Sequence, residues 1–332
     1  MRLVERLDVY GRVTALRRSV LDPRVLQGAL PGRAAIARYR ASRPEAAGRE
    51  RRFAAASAAY AAAADDAGRF ADRTRQVRVD GLAWSVPLTC PDDADAVARY
   101  VGKQDFPYRV IAQTREIALG GVMLDIGANN GRMSIPRVIL GDVEAVYCAE
   151  PDPLNYHCLA ANVRDNGLSG LVLPDRIAVA AEDGVARLAR KKSAGGHMIV
   201  EPGVATRRET IDVACLTLDT WLERLGVDPR QVSFVKVDVQ GSEVHVLRGA
   251  GRLLACPHVA WQVEIDPALL RTRGAGMDAL LRLFETHFTH FVDLNRRARG
   301  PRVRPVAHLA RGLGYLEAGP MARTDVLLCS LT

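Results

Sequence analysis

Residues 122–131 read Val122-Met-Leu-Asp-Ile-Gly-Ala-Asn-Asn-Gly131, an apolar strand that stops at a carboxylate and then turns through two glycines. Such a turn brings the backbone close to a ligand and aims the N–H groups of the following helix at it. Gly127 and Gly131 are four apart, which is neither the G-x-G-x-x-G of dinucleotide binders nor the G-x-x-x-x-G-K-[ST] of phosphate loops. A nucleoside ligand without a pyrophosphate fits this spacing better. The turn residues Gly127, Ala128, Asn129, Asn130 and Gly131 are then candidate contacts. Asp125 is placed to hold the loop and, through water, to meet a cationic amino group.

Short apolar strands alternate with helical patterns on the C-terminal side of this turn. Val122–Ile126, Ala145–Ala149, Ile177–Ala180, Phe234–Val237 and Val259–Ile265 read as strands, and the rhythm predicts a mainly parallel sheet with helices on both faces. Gly167 and Gly226 follow helical patterns as stop signals. Pro136 is tolerated if the intervening helix starts near Arg132. The last strands, near His290–Leu294 and Asp325–Leu331, flank a Pro/Gly-containing basic block at 295–324, expected as a long loop at the sheet end. Gln76–Pro87 alternates around Asp80-Gly81, a hairpin signal. Leu3, Val4, Leu7, Tyr10, Val13, Leu16 and Val20 recur at helical spacing, and the Ala-rich stretch Phe53–Ala64 has high helix propensity. The chain therefore divides into a helical accessory region, 1–75, and a catalytic-type domain, 76–332.

Glu150 ends the second strand in Cys148-Ala-Glu-Pro-Asp152. A carboxylate there accepts hydrogen bonds from both hydroxyls of a ribose, as in other nucleoside-binding sheets. Glu150, Pro151 and, at the third strand, Ala178 are candidate cofactor contacts. An NAD-binding sheet also places an acid about twenty residues beyond its glycines, so only the glycine spacing separates the two readings. The third constellation is Phe234-Val-Lys-Val-Asp-Val-Gln-Gly-Ser-Glu-Val-His245. Strand alternation puts Lys236, Asp238 and Gln240 on one face, with Asp238 at the carboxyl end where open parallel sheets bind ligands. Ser242 is a candidate cap for a helix carrying Glu243 and His245.

These three segments resemble the FkbM-type methyltransferase family, whose pieces are a D-x-G-A-N-x-G loop, an E-P pair, and a K-x-D-x-E-G-x-E turn followed by V-L-x-G-A. Here they stand as Asp125–Gly131, Glu150-Pro151, and Lys236–Glu243 with Val246–Ala250; Thr217-Leu-Asp-Thr-Trp-Leu222 is also similar. The resemblance spans roughly 76–330. It implies a Rossmann-like class I methyltransferase fold, α/β with a mainly parallel seven-stranded sheet. It also implies S-adenosyl-L-methionine (SAM) as cofactor and methylation of a hydroxyl on a sugar, polyketide or other secondary metabolite, a reaction of natural product biosynthesis. The departure is Gln240, where the family usually has Glu; an amide is no base and a poor cation ligand.

A hydroxyl acceptor must lose a proton, and Asp238 or His245 is the candidate base, with Lys236 and Glu243 ordering the site. Asp238, Glu264 and Asp266 could offer oxygen ligands to a divalent cation, but no metal is assigned. His287 and His290 lack the spacing of a zinc helix. Two other classes stay open: a nicotinamide-dependent oxidoreductase, and a degenerate fold serving as a binding module.

Composition bounds the rest. Apolar residues make up 48% and charged residues 25% of 332, which excludes a disordered or collagenous chain. The six cysteines form no close C-x-x-C pair and read as reduced. No apolar run long enough for a secretory signal or a bilayer span is present, so a cytoplasmic location is expected. The net charge of +8 sits in residues 1–52, with thirteen arginines against five acids. A second basic block carries Arg296, Arg297, Arg299, Arg302, Arg304, Arg311 and Arg323 against Glu317. This block favours a small-molecule acceptor that is anionic or glycosylated. No nucleic-acid partner is expected, and the N-terminal helices offer a surface for self-association.

Overall fold

The computed structural model describes residues 74–79, 82–87, 110–111, 113–114, 120–191, 196–200, 204, 206–294, 303–317 and 323–331. The helical region expected over 1–75 lies outside the described residues, apart from the first residues of a hairpin. That hairpin pairs β1 (Thr74–Val79) with β2 (Leu82–Pro87), Val79 opposite Leu82, around the expected Asp80-Gly81.

The centre of the fold is β3 (Val122–Ile126), paired in parallel with β4 (Ala145–Ala149) on one side and β10 (Val232–Val237) on the other. β5 (Val172–Asp175) extends the sheet beyond β4, and β11 (Ala260–Ile265) extends it in parallel beyond β10. β14 (Thr324–Cys329) then inserts antiparallel between β11 and β12 (His290–Asp293). These make the expected count of seven strands, and the two-residue β13 (Arg304–Pro305) adds an eighth at the edge.

Alternation along each strand feeds two cores. Leu124, Val235, Trp261 and Leu328 enter one, with α3 (Leu218–Leu225), α4 (Glu243–Arg248) and α7 (Met277–His287) supplying Trp221, Val244 and Phe284. Met123, Val146, Phe234 and Leu327 enter the other, covered by α1 (Ser134–Ile139) and α2 (Pro153–Asp165) through Ile135, Val138 and Leu159. β10 and β11 are buried along their whole length, as strands covered on both faces must be. Among the described residues no helix is long and apolar enough to cross a membrane, and no cysteine is in a disulfide.

Two expectations are corrected. The outer strand beside β4 is Val172–Asp175, while Ala178–Ala180 (β6) leaves for a second sheet. Pro174 disguises the true strand as a breaker, yet a proline is tolerated where only one neighbour pairs. The second sheet has the order β6-β9-β7-β8, with β7 (Gly184–Ala189), β8 (Met198–Val200) and β9 (Thr210–Thr217). Within the basic block, residues 303–317 form β13, short 3-10 turns and α8 (Leu309–Leu313) rather than a long loop. The reason is the buried series Val306, Leu309, Leu313 and Leu316, at helical spacing and packed on the first core. The first helix after the glycine turn starts at Ser134, close to Arg132 as expected, which leaves Pro136 within its first turn.

Asp152 joins the two sheets. Its Oδ1 caps α2 by accepting from the Leu154 and Asn155 N–H groups, and its Oδ2 accepts from Arg190 Nε at 2.8 Å, just past β7. Asp152→Ala removes a cap and the Arg190 tie to the second sheet. The expected loss is about 1–3 kcal/mol, a cap together with a partly buried ion pair, measured by urea unfolding.

Candidate active site

The glycine turn is shaped by what it passes. Gly127 has φ 79°, and a Cβ there would sit 1.9 Å from the Asp238 carbonyl oxygen, so the turn lies directly against the end of β10. Gly131 has φ 85°, and its missing Cβ leaves room for the side chains of Leu159 and Ile135. Asn129 adopts φ 52°, a left-handed conformation that asparagine tolerates, and this turns its N–H toward Glu150.

Asp125 is fully buried. It accepts a short hydrogen bond from Ser134 Oγ and a 3.0 Å bond from Lys236 Nζ, its register partner on β10. Lys236 Nζ also donates to the Gly127 carbonyl at 3.2 Å and lies 3.7 Å from Asp238 Oδ2. Burial opposes its positive charge, but Asp125 and Asp238 outweigh that opposition and hold the ammonium above the ordinary lysine range. One cation thus fixes the loop and the strand end together.

Glu150, 5% exposed, accepts from the Asn129 N–H at 2.8 Å through Oε2 and from the Asp152 N–H at 3.0 Å through Oε1. Burial pushes its carboxyl up to about 7 despite these two bonds. Asp238 accepts from Gln240 Nε2 at 2.9 Å, and the same amide donates to Glu264 Oε2 at 2.9 Å. Asp238 is half-buried, which opposes its charge, but Lys236 and Arg132 face it and hold its carboxyl below the usual range. Glu264 moves the other way, well above the usual range, through burial and then the nearby charges of Asp238 and Asp325. Asp325 is pushed up to about 6 by burial and then by Asp238.

These groups face one cavity of about 420 Å³ at the carboxyl ends of the parallel strands, the place where open α/β sheets bind ligands. Of the expected residues, Gly127, Ala128, Asn129, Glu150, Pro151, Ala178, Lys236 and Asp238 line it. Asp125 stands behind Lys236, and Asn130 and Gly131 shape the turn without lining the cavity. Glu243 and His245 do not line it either. Glu243 Oε1 accepts from the Val239 and Gly241 N–H groups at 3.2 and 3.1 Å, so it holds the turn that carries Gln240. Ser242 stands at the helix start, but its side chain makes no capping bond, contrary to expectation. Asp266 is also elsewhere, capping α6 (Pro267–Thr272) through the Ala268 and Leu269 N–H groups. His290 is buried on β12, where its Nδ1 meets Thr289 Oγ1 at 2.8 Å. Among the described residues, no set of three His, Cys, Asp or Glu is arranged to hold a metal.

Two groups of lining residues escaped the sequence reading. Leu188, His197, Met198 and Ile199 come from the second sheet or the residue just before its β8, and Gln262, Thr324 and Asp325 from β11 and β14 of the first. The alternation Gln262, Glu264 in an otherwise apolar strand was a usable signal, since it repeats the parity of Lys236 and Asp238. His197 accepts from the Lys191 N–H through Nδ1 at 3.0 Å, and burial holds it below the ordinary range. It is therefore neutral, with its proton on Nε2, the atom 3.8 Å from Asp152 Oδ2. Of the Arg-rich block, Arg323 lines the cavity, while the described Arg304 and Arg311 do not; Arg296, Arg297, Arg299 and Arg302 lie outside the described residues.

A family model described as Methyltransferase FkbM domain matches residues 125–292. No curated protein matches the chain. Among solved structures it is similar to a methyltransferase FkbM from Methylobacillus flagellatus KT, with 13% identity over 71% of this chain and 60% of that one and a TM-score of 0.34. It is also similar to M. jannaschii TYW2 in complex with AdoMet, with 11% identity over 77% of this chain and 85% of that one and a TM-score of 0.34. A third is the B. subtilis m1A22 tRNA methyltransferase TrmK, with 9% identity over 65% of this chain and 62% of that one and a TM-score of 0.35.

Two measurements follow. Lys236→Met strands Asp125 as a buried unpaired carboxylate and should cost about 3–5 kcal/mol in urea unfolding. The second concerns pH. The folded chain keeps the Glu150 proton up to about 7, whereas a free glutamate releases it near 4.5. The stability this carboxyl contributes therefore falls as pH rises from 4.5 to about 7 and is constant above. Glu243, also raised to about 7, adds a parallel fall. Glu150→Gln should flatten the stability-against-pH curve over that window in part, leaving the share due to Glu243.

Proposed function

The chain belongs to the methyltransferase FkbM domain family, and we propose that it is a SAM-dependent methyltransferase acting on a hydroxyl of a small-molecule acceptor, such as a sugar, polyketide or other secondary metabolite. The observation that carries this reading is the meeting of the glycine turn and Glu150 across one cavity, Asn129 N–H to Glu150 Oε2 at 2.8 Å. The donor set fits the cofactor. Glu150 is a buried carboxylate in the cavity wall, pushed up to about 7 by burial although the Asp152 and Asn129 N–H groups donate to it, and ribose hydroxyls are further donors that would favour its charged form. Gly127, Ala128 and Asn129 would line the amino-acid side, with Asp125 and Lys236 holding their backbone. Pro151, Ile177 and Ala178 would offer an apolar slot for the base.

Bound there, SAM supplies an electrophilic methyl group and leaves as a neutral thioether. The chain's own part is to hold the acceptor hydroxyl in line and to take its proton. Asp238 is the group for this. Its side chain is 23% exposed, more open than its Lys236 and Glu264 neighbours, and it lines the cavity, which His245 does not. Gln240 and Lys236 position the carboxylate. The glycine spacing and the intact Glu150 disfavour the nicotinamide and degenerate readings.

Calorimetric titration tests the cofactor. S-adenosylhomocysteine (SAH) should bind with micromolar affinity and NAD or NADP should not, and Glu150→Ala should abolish the binding; nicotinamide binding alone overturns the reading. Once an acceptor is found, Asp238→Asn should lower kcat by about 10²–10⁴ with SAH affinity little changed. Near-normal turnover in that variant would remove Asp238 as the base.

A further inference from the structure

The second sheet brings a fixed hydrogen-bond donor to the cofactor end of the cavity. His197 stands one residue before β8, and the pairing of Ala189 with Met198 puts it level with Arg190 on the neighbouring chain segment. The Lys191 N–H donates to its Nδ1 at 3.0 Å, so the proton of the neutral ring is carried on Nε2. Burial first, and then the charges of Arg190 and Lys191, outweigh Asp152 and keep the ring below the ordinary histidine range. The acceptor nearest to Nε2 is Asp152 Oδ2 at 3.8 Å, past hydrogen-bonding reach, and that oxygen already takes Arg190 Nε at 2.8 Å. Among the described residues, the Nε2–H therefore has no bonded partner, although the side chain is only 9% exposed. Buried donors are rarely left unmet in a folded protein, and His197 forms part of the cavity wall. The N–H calls for an acceptor supplied from the cavity.

Its surroundings decide what kind of acceptor. Asp152 lies beside the ring, and its N–H holds Glu150 Oε1 at 3.0 Å, so an anion brought here would meet two carboxyl groups. A neutral lone pair is the complement. The rest of this wall is apolar, with Pro151, Ile177 and Ala178 on one side and Leu188, Met198 and Ile199 on the other. A flat heteroaromatic ring suits such a slot: its faces are apolar and its ring nitrogens present lone pairs at the edge. In a mostly apolar site, a single well-placed polar group fixes the orientation of the ligand.

We propose that His197 is a base-recognition residue of the cofactor site, its Nε2–H donating to a ring nitrogen of the adenine. This rests on the reading of the chain as a SAM-dependent methyltransferase. The second sheet is then a working part of the cofactor site, and the Asp152–Arg190 pair and the Lys191 N–H are what hold the donor in place. A base without that ring nitrogen leaves the N–H buried and unmet, and an unpaired buried polar group is what lets a site reject such an analogue.

The test titrates the full chain calorimetrically with SAH and with its 1-deaza, 3-deaza and 7-deaza analogues, each of which replaces one ring nitrogen of the base by C–H. One analogue should bind about tenfold more weakly than SAH, the size of one neutral hydrogen bond. In His197→Phe, that analogue and SAH should bind alike. Equal binding of SAH and all three analogues to the wild-type chain overturns the assignment, and so does a penalty that persists in full in His197→Phe, since another donor then reads the base. NMR of the wild-type chain labelled with nitrogen-15 histidine reads the same contrast without a variant. The Nε2–H resonance of His197 should move with SAH and stay in place with the disfavoured analogue, and equal movement with both overturns the assignment even where His197→Phe fails to fold. Failure of SAH itself to bind brings down the methyltransferase reading and the role of His197 with it, whereas SAH binding with no analogue penalty removes the role of His197 alone.

Discussion

The ammonium of Lys236 is the contact on which the site depends. It reaches Asp125 on the neighbouring strand, the carbonyl of Gly127 in the turn, and the carboxylate of Asp238 two residues along its own strand. A buried cation is tolerated only where opposite charges and acceptors meet it from several sides. That requirement couples the register of β3 and β10 to the path of the glycine turn. The turn must lie flat against the Asp238 carbonyl, which is why position 127 admits no side chain. Cofactor loop and candidate base are therefore parts of one rigid unit, and displacement of either strand end would disturb both.

A second tie closes the cavity from the other direction. Asp152 follows Glu150 by two residues, and its N–H helps to hold the Glu150 carboxylate while its side chain holds α2 and Arg190. Through Arg190 and His197 the small second sheet is drawn over the end of β4, where its apolar residues join Pro151, Ile177 and Ala178 in one wall. The same few residues thus present the carboxylate and enclose the slot beside it. Enclosure keeps water away, which strengthens every polar interaction made inside.

Gln240 gives this chain its own character within the family pattern. A glutamate at that point would face Asp238 and Glu264 as a third carboxylate, whereas the amide donates to both. The cluster is settled by one neutral donor and by burial, which raises the Glu264 and Asp325 carboxyls above their ordinary range. The conformation at Gln240, φ 55°, is left-handed and uncommon outside glycine. The bonds to the two carboxylates, with Glu243 bracing the turn beneath, hold it there.

The local pieces were legible in the chain itself. The hairpin at Asp80-Gly81, the strand-to-turn sequence around Gly127, the glycine stops at 167 and 226, and the alternation that placed Lys236 and Asp238 together are set by neighbours a few residues apart. Torsional preference and period are enough to specify them. Those signals also fixed the doubly wound sheet and most of the cofactor side of the cavity. Pro174 and the Arg-rich block misled, because a breaker and a run of charge say nothing about the partner that absorbs them. The acceptor side required the fold. Lys236 meets Asp125 across 111 positions, and Gln240 meets Glu264 across 24. Gln262 and Asp325, 63 apart, are joined only because β14 inserts antiparallel beside β11. Sequence spacing dictates which side chains share a strand face; strand order dictates which faces share a cavity, and that order is chosen by packing of the whole chain.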